Sequence, residues 1–240
     1  MSKVLFFDVD GTVTESCKPI NHFMAKYLSS LSQDLVFISG TDAIELQRMV
    51  SAPLMKMYKS HYLLGCSGAT GHFVSEHGVV PLWDTTLCTK DKQDIISSLQ
   101  KLMKKYSIPK HDHQILDRKS QVTFSILGRF ANADVKATYD PDQKKRKEFV
   151  KYLAGLLNNK FEIRIGGTTS IDITPKGLDK AYGIIKFLQE SHHIAKDCYF
   201  FGDQLQVGGN DYPVKKTAVT WLSVNDPEDC LNMLRRMFKS

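Results

Sequence analysis

The sequence predicts an α/β protein: a parallel-sheet core interrupted by an inserted α+β module. Three observations predict it. Short, almost wholly apolar runs end at Asp8, Ser39 and Asp203, as strands buried on both faces do. Helical stretches alternate with those runs near both ends of the chain, which is the syntax of a parallel sheet. Between about residues 83 and 175 the pattern changes to strands in which apolar and polar residues alternate, separated by long helices.

The elements follow in order. Val4, Leu5, Phe6 and Phe7 are too apolar for one-sided burial, and Gly11 breaks the run, so a first strand spans 3 to 8. A helix from about 19 to 32, a strand from 34 to 39 and a helix from 42 to 50 come next, then a Gly-rich strand-and-turn region around 63 to 80. In the insert, Ile95, Leu99 and Leu102 lie on one stripe of a helix from about 90 to 106. Val122, Phe124 and Ile126 alternate in a strand from 121 to 127, a second helix spans roughly 141 to 157, and strands follow at 161 to 165 and 170 to 174. After Gly177 the parallel pattern resumes with a helix to about 191, a strand ending at Asp203, a strand near 218 to 222 and a last helix to the terminus. No internal repeat or low-complexity stretch is present.

Composition narrows the function. At 240 residues and 42% hydrophobic, the chain can bury the core of one large or two modest domains. No stretch approaches 18 apolar residues, so no membrane partner is expected, and Met1-Ser2-Lys3 leads into the first strand rather than a signal peptide. A cytoplasmic location is the expectation. Cysteines 17, 66, 88, 198 and 230 are scattered and without C-x-x-C spacing, so they read as reduced thiols rather than disulfides or a zinc site. A net charge of +6 raises nucleic acid as a partner, but Lys104-Lys105 and Lys144-Lys145-Arg146-Lys147 fall on helical segments with no nucleic-acid motif beside them. No nucleic-acid partner is expected; a modest positive excess steers small phosphorylated substrates.

Chemistry concentrates where strands end, the place at which open α/β sheets bind ligands. Asp8 and Asp10 set two carboxylates one residue apart, which costs energy unless a cation or a shared proton compensates; a metal site or an acid/base pair meets that need. Asp-x-Asp-Gly is also good turn chemistry. Near the other end, Phe200-Phe201-Gly202-Asp203 repeats the pattern and Gly208-Gly209-Asn210-Asp211 follows. Between them, Ile38-Ser39-Gly40-Thr41 ends a strand in hydroxyls at a helix start. The same hydroxyls would serve as helix caps, and Asp42 with Glu45 also reads as a capping box.

Taken in order, these segments resemble the four motifs of the haloacid dehalogenase (HAD) superfamily: Asp8-Val9-Asp10-Gly11-Thr12, Ser39-Gly40-Thr41, Lys180, and Gly202-Asp203 with Gly208-Gly209-Asn210-Asp211. The resemblance implies a Rossmann-like core at 1–82 and 176–240 and an inserted cap at 83–175, of the subclass IIB type, that covers the active site and chooses the substrate. It implies Asp8 as the nucleophile that accepts phosphate and Asp10 as general acid/base. Lys180 would neutralise Asp8 and the phosphate, and Ser39, Gly40 and Thr41 would bind the phosphate, with Ser39 ahead of Thr41 as the donor. Mg²⁺ would be held by Asp8, the Asp10 carbonyl, Asp203, Asn210 and Asp211.

Within that subclass the chain resembles eukaryotic-type phosphomannomutases and bacterial hydrolases that look like them, through Gly128-Arg129, Gly166-Gly167-x-x-Ser170-x-Asp172 and Gly177-x-Asp179-Lys180. The resemblance implies Arg118 and Arg129 on a substrate's remote phosphate, Ser170 and Asp172 on sugar hydroxyls, and Lys136 in the place of a further cap arginine; it allows a homodimer through the cap. Two departures stand out. Cys17 replaces an arginine that the mutases carry shortly after the first motif, and Gly202-Asp203-Gln204-Leu205 lacks their Lys-Thr pair. A weakened clamp on the remote phosphate favours water over sugar as the final acceptor. The expectation is therefore a Mg²⁺-dependent phosphatase acting on small sugar-phosphate-like substrates, with phosphomannomutase as the alternative. A nonenzymatic regulator on this fold would not need every catalytic position filled.

Overall fold

The computed structural model describes residues 3–238. Its contacts divide the chain at 84/85 and 177/178 into two compact units, against the expected 82/83 and 175/176.

The first unit is built on a seven-stranded sheet in the order Thr220–Ser223, Cys198–Gly202, Val4–Phe7, Asp34–Ile38, His61–Gly65, Thr70–Ser75, Gly78–Asp84. The first five run parallel; the Gly-rich region adds two antiparallel strands at one edge. Alternate residues of the central strands serve opposite faces, which explains their unbroken apolarity. Leu5, Phe7, Leu35 and Phe37 pack with the helices His22–Ser30 and Pro227–Met237, while Val4, Phe6, Val36 and Ile38 pack with Ile184 and Phe187 of the helix Lys180–Ser191. Burying each such side chain stabilises the fold by about 1.5–3 kcal/mol.

Helix starts follow local capping chemistry. Asn21, after Pro19, accepts from the Met24 N–H at 2.9 Å, so the first helix begins at His22 rather than 19. The helix expected over 42–50 is longer and irregular: Ala43–Leu46, a π-helical turn Gln47–Ser51, then Ala52–Met55. The last helix stops at Met237, and residues 239 and 240 lie outside the described residues. Cys66, Cys198 and Cys230 are buried and Cys17 and Cys88 exposed, all five as free thiols. No helix among the described residues is long and apolar enough to cross a membrane.

The second unit is a four-stranded antiparallel sheet in the order Ile115–Asp117, Val122–Ser125, Ser170–Pro175, Phe161–Gly166. Val122, Phe124, Ile171 and Ile173 face the helices Thr89–Lys105 and Lys144–Leu156 and form a core with Ile95, Leu99, Leu102, Phe149 and Leu153. Two elements escaped the sequence reading. The strand Ile115–Asp117 is three residues long, and the helix Ala133–Tyr139 buries no residue, so neither shows a periodicity. The second long helix starts at Lys144, not 141, because the Asp140 carboxylate accepts from the N–H groups of Lys145 (3.0 Å) and Arg146 (3.1 Å).

Candidate active site

The parallel ladder aligns the strand ends. Phe7 is in register with both Phe37 and Phe201, and the Asp8 N–H donates to the Phe201 carbonyl at 2.9 Å, so Asp8, Ser39 and Asp203 leave the sheet at one edge. Phe7 stacks on Phe37 (centroids 5.4 Å) and Phe201 (5.2 Å), a rigid apolar floor beneath the carboxylates.

Lys180 arrives from the far end of the sequence at the first turn of its helix. Asp179 caps that helix by accepting from the Tyr182 N–H at 3.0 Å. One turn on, Gly183 lets the helix close onto the Cys66–Gly68 turn: a Cβ on Gly68 would come within 2.2 Å of the Gly183 Cα. Phe187, edge-on to Phe6 at 5.3 Å, anchors the same helix. The Lys180 ammonium, 1% exposed, donates to Oδ1 of Asp8 and Oδ1 of Asp211, both also buried. The other Asp211 oxygen accepts from the Gln204 N–H at 3.0 Å. Asp211 therefore holds the lysine with one oxygen and the loop that precedes it with the other. Gly202 permits this, since a Cβ there would lie 2.5 Å from Asp211 Oδ2.

Asp8, Asp203 and Asp211 each offer an oxygen within 4.8 Å of the others'. Thr12 Oγ1 lies 3.5 Å from both Asp8 Oδ2 and Asp203 Oδ1, and Gly11, at φ +82°, leaves the room that Asp203 fills. Three carboxylates face one ammonium, and burial pushes the Asp8 carboxyl up to about 7, with Lys180 pulling it down and Asp211 adding to the rise. Asp8 and Asp211 hold Lys180 firmly in its charged form against burial. Such an excess of buried negative charge, on oxygen donors, fits a hard divalent cation. With Asp211 engaged twice, Asp8 and Asp203 are the carboxylates best placed for it; Asn210, also expected at the metal, is exposed.

Asp10 lies just beyond, and its Oδ1 accepts from the Cys17 N–H at 2.6 Å. Asp42, not Ser39 or Thr41, caps the following helix, accepting from the Glu45 N–H at 3.0 Å. Ser39 Oγ instead accepts from the Thr41 N–H at 3.2 Å, which leaves the Ser39 hydroxyl proton to donate elsewhere. Gly40 and Thr41 sit partly exposed in the same turn.

In the second unit, Thr123, Asp172 and Arg164 lie in register across three neighbouring strands, and Ser125, Ser170 and Gly166 form the next row on that face. Asp172 Oδ1 accepts from Thr123 Oγ1 at 2.7 Å and Gln121 Nε2 at 2.9 Å. Burial raises its carboxyl above the usual range, although Thr123 and then Arg118 oppose that. Arg118 and Asp172 thus belong to one cluster, with Arg164, Gln121 and Thr123 as members that motif reading missed. Arg129 and Lys136 form another: Lys136 Nζ donates to the Arg129 carbonyl at 2.6 Å, and the exposed Arg129 guanidinium lies 5.7 Å from the centre of the Phe130 ring.

Residues 22–240 match the family model described as eukaryotic phosphomannomutase. The chain is 28% identical to phosphomannomutase 1 of Dictyostelium discoideum over 256 residues, covering 98% of this chain and 96% of that protein. It is 25% identical to the Saccharomyces cerevisiae phosphomannomutase over 247 residues, covering 98% and 94%. Among solved structures it is similar in fold to a haloacid dehalogenase-like hydrolase from Bacteroides thetaiotaomicron (TM-score 0.66, 15% identity, 99% of this chain and 100% of that one). It is also similar to the ATP-bound IMP-nucleotidase of Plasmodium falciparum (TM-score 0.71, 16% identity, 100% and 61%). The sequence reading ranked phosphatase ahead of mutase, whereas the relatives that match along their whole length carry the mutase name. The fold, the shared Lys180 and the family match agree: this chain is a phosphotransferase-type member of the HAD superfamily and belongs to the eukaryotic phosphomannomutase family.

Proposed function

We propose that this protein is a Mg²⁺-dependent phosphoryl-transfer enzyme of hexose phosphates that works through Asp8 and returns the phosphoryl group to the sugar, as a phosphomannomutase does. The observation that carries the reading is the buried Lys180 ammonium shared by Asp8 and Asp211, with Asp203 beside them. A carboxylate attacks phosphorus only when the phosphate's charge is offset, and Lys180 supplies one such charge. A cation held by Asp8 and Asp203, with the Asp10 carbonyl and Asn210 to complete its oxygen shell, would supply the rest.

One Asp8 oxygen attacks phosphorus while the bond from phosphorus to the sugar oxygen breaks, and Asp10 gives that oxygen a proton. In the return half, another sugar hydroxyl gives its proton to Asp10 and attacks the aspartyl phosphate, freeing Asp8. Ser39, by its free hydroxyl proton, and Thr41 steady the phosphate oxygens. In the cap, Arg118 and Arg129 suit the non-reacting phosphate, and Asp172 and Ser170 suit sugar hydroxyls.

A second reading, hydrolysis with water as the acceptor, draws support from Cys17 and from Lys136, whose ammonium is occupied by the Arg129 carbonyl. Assaying mannose 1-phosphate and glucose 1-phosphate with and without a hexose bisphosphate activator separates the two. Isomer formed in excess of free phosphate, and stimulated by the bisphosphate, is the expected result. Phosphate release without isomer would replace the mutase by the phosphatase.

A further inference from the structure

Arg48 belongs to no motif, yet several contacts converge on it. It lies in the π-helical turn Gln47–Ser51, an irregularity that re-aims side chains and recurs at functional sites. Its guanidinium is held by Glu45 through Nε (2.8 Å) and Nη2, an i,i+3 pair on the same helix. Nη2 also donates to the Cys17 carbonyl at 3.0 Å, across 31 residues of sequence. Cys17 sits in the left-handed region at φ 61°, a conformation that costs energy for a residue with a Cβ and needs support from its surroundings. The N–H of that same residue donates to Asp10 Oδ1 at 2.6 Å. Glu45, Arg48, Cys17 and Asp10 therefore form one chain of hydrogen bonds.

We infer that Arg48 is a positioning residue: by gripping the Cys17 carbonyl it fixes the turn whose N–H orients the Asp10 carboxylate for proton transfer. The inference rests on the proposed role of Asp10 as general acid. The Glu45 hydrogen bond, and more weakly the charge of Asp10, keep the guanidinium charged.

The test exploits leaving groups. The value of kcat/KM reports the steps up to transfer onto Asp8, and only a poor leaving group needs the Asp10 proton there. A simple alkyl phosphate and 4-nitrophenyl phosphate are compared in the wild type, Arg48→Ala and Arg48→Lys. Arg48→Ala should lose about tenfold more kcat/KM on the alkyl phosphate than on the nitrophenyl ester, and Arg48→Lys should recover part of that gap. Equal loss on both substrates would make Arg48 a purely structural residue, and no loss on either would remove it from the site; each overturns the inference. Should Arg48→Ala fail to fold, Glu45→Gln, which loosens the arginine without deleting it, should show the same direction of gap, and an equal loss there counts against the inference. Asp8→Asn runs alongside: turnover surviving in that variant would overturn the underlying reading instead.

Discussion

The core and the cap handle charge in opposite ways. In the core, three carboxylates and one lysine are gathered beside the ends of strands that are apolar on both faces, and Asp8, Asp211 and Lys180 are buried there. In the cap, the polar residues stand on one face of a sheet whose other face is apolar, and hydroxyls and amides surround a single carboxylate. The stretch from Thr85 to Gly177 holds 18 of the 32 basic residues but 10 of the 26 acidic ones, so the cap carries the positive excess and the core a slight negative one. The difference teaches that the two units concentrate opposite charge: the first gathers carboxylates around one lysine, while the second carries the positive excess and sets neutral donors around its carboxylate.

Substitutions and conditions that break this division should differ in size. Asp8→Asn should have the largest effect, leaving less than about a hundredth of wild-type turnover, since an amide cannot attack phosphorus. Chelation comes next: EDTA should abolish turnover and Mg²⁺ restore it, while Ca²⁺ should inhibit because it accepts more oxygen ligands and would engage both Asp8 oxygens. Asp10→Asn should slow turnover by about 10² to 10⁴. Arg129→Ala should lower kcat/KM for a hexose phosphate by roughly ten- to a hundredfold, the worth of a charge-assisted contact, with a far smaller loss on a small aryl phosphate. Equal loss on both would move Arg129 out of substrate recognition.

The smallest effect is on stability and sharpens the electrostatic side of the comparison. The folded-state value of Asp8, about 7, lies above its ordinary 3.8, so this group favours the folded state at low pH and loses that contribution as pH rises from about 4 to 7. Without metal, the melting temperature of Asp8→Asn relative to wild type should therefore rise between pH 5 and pH 8. A difference that stays flat with pH would contradict the burial account.

The same contrast explains what the sequence made legible. Asp8, Asp10, Asp203 and Asp211 stand in contiguous motifs, because a strand end and its turn are consecutive residues; the pairing of Lys180 with Asp8 was expected from the resemblance, while its second partner, Asp211, was not. Arg48 could not, since a π-helical turn leaves no periodic signal and its partner Cys17 is 31 residues away. On the cap, Thr123, Asp172 and Arg164 come from three strands, and only pairing register brings them into one row. Asp211 read as a metal ligand from its motif, and only the fold shows that the loop also turns it inward onto Lys180. The edge strand Gly78–Asp84 was blurred in sequence because it is exposed along most of its length.

The central claim is that the phosphoryl group passes through Asp8. A single-turnover reaction with a hexose phosphate and Mg²⁺, quenched in acid and mapped by mass spectrometry, measures it directly. The expected result is a phosphate on the peptide containing Asp8 that forms and decays at rates matching turnover and is absent from Asp8→Asn. Turnover with that peptide unmodified, or with the phosphate on another residue, would contradict the account.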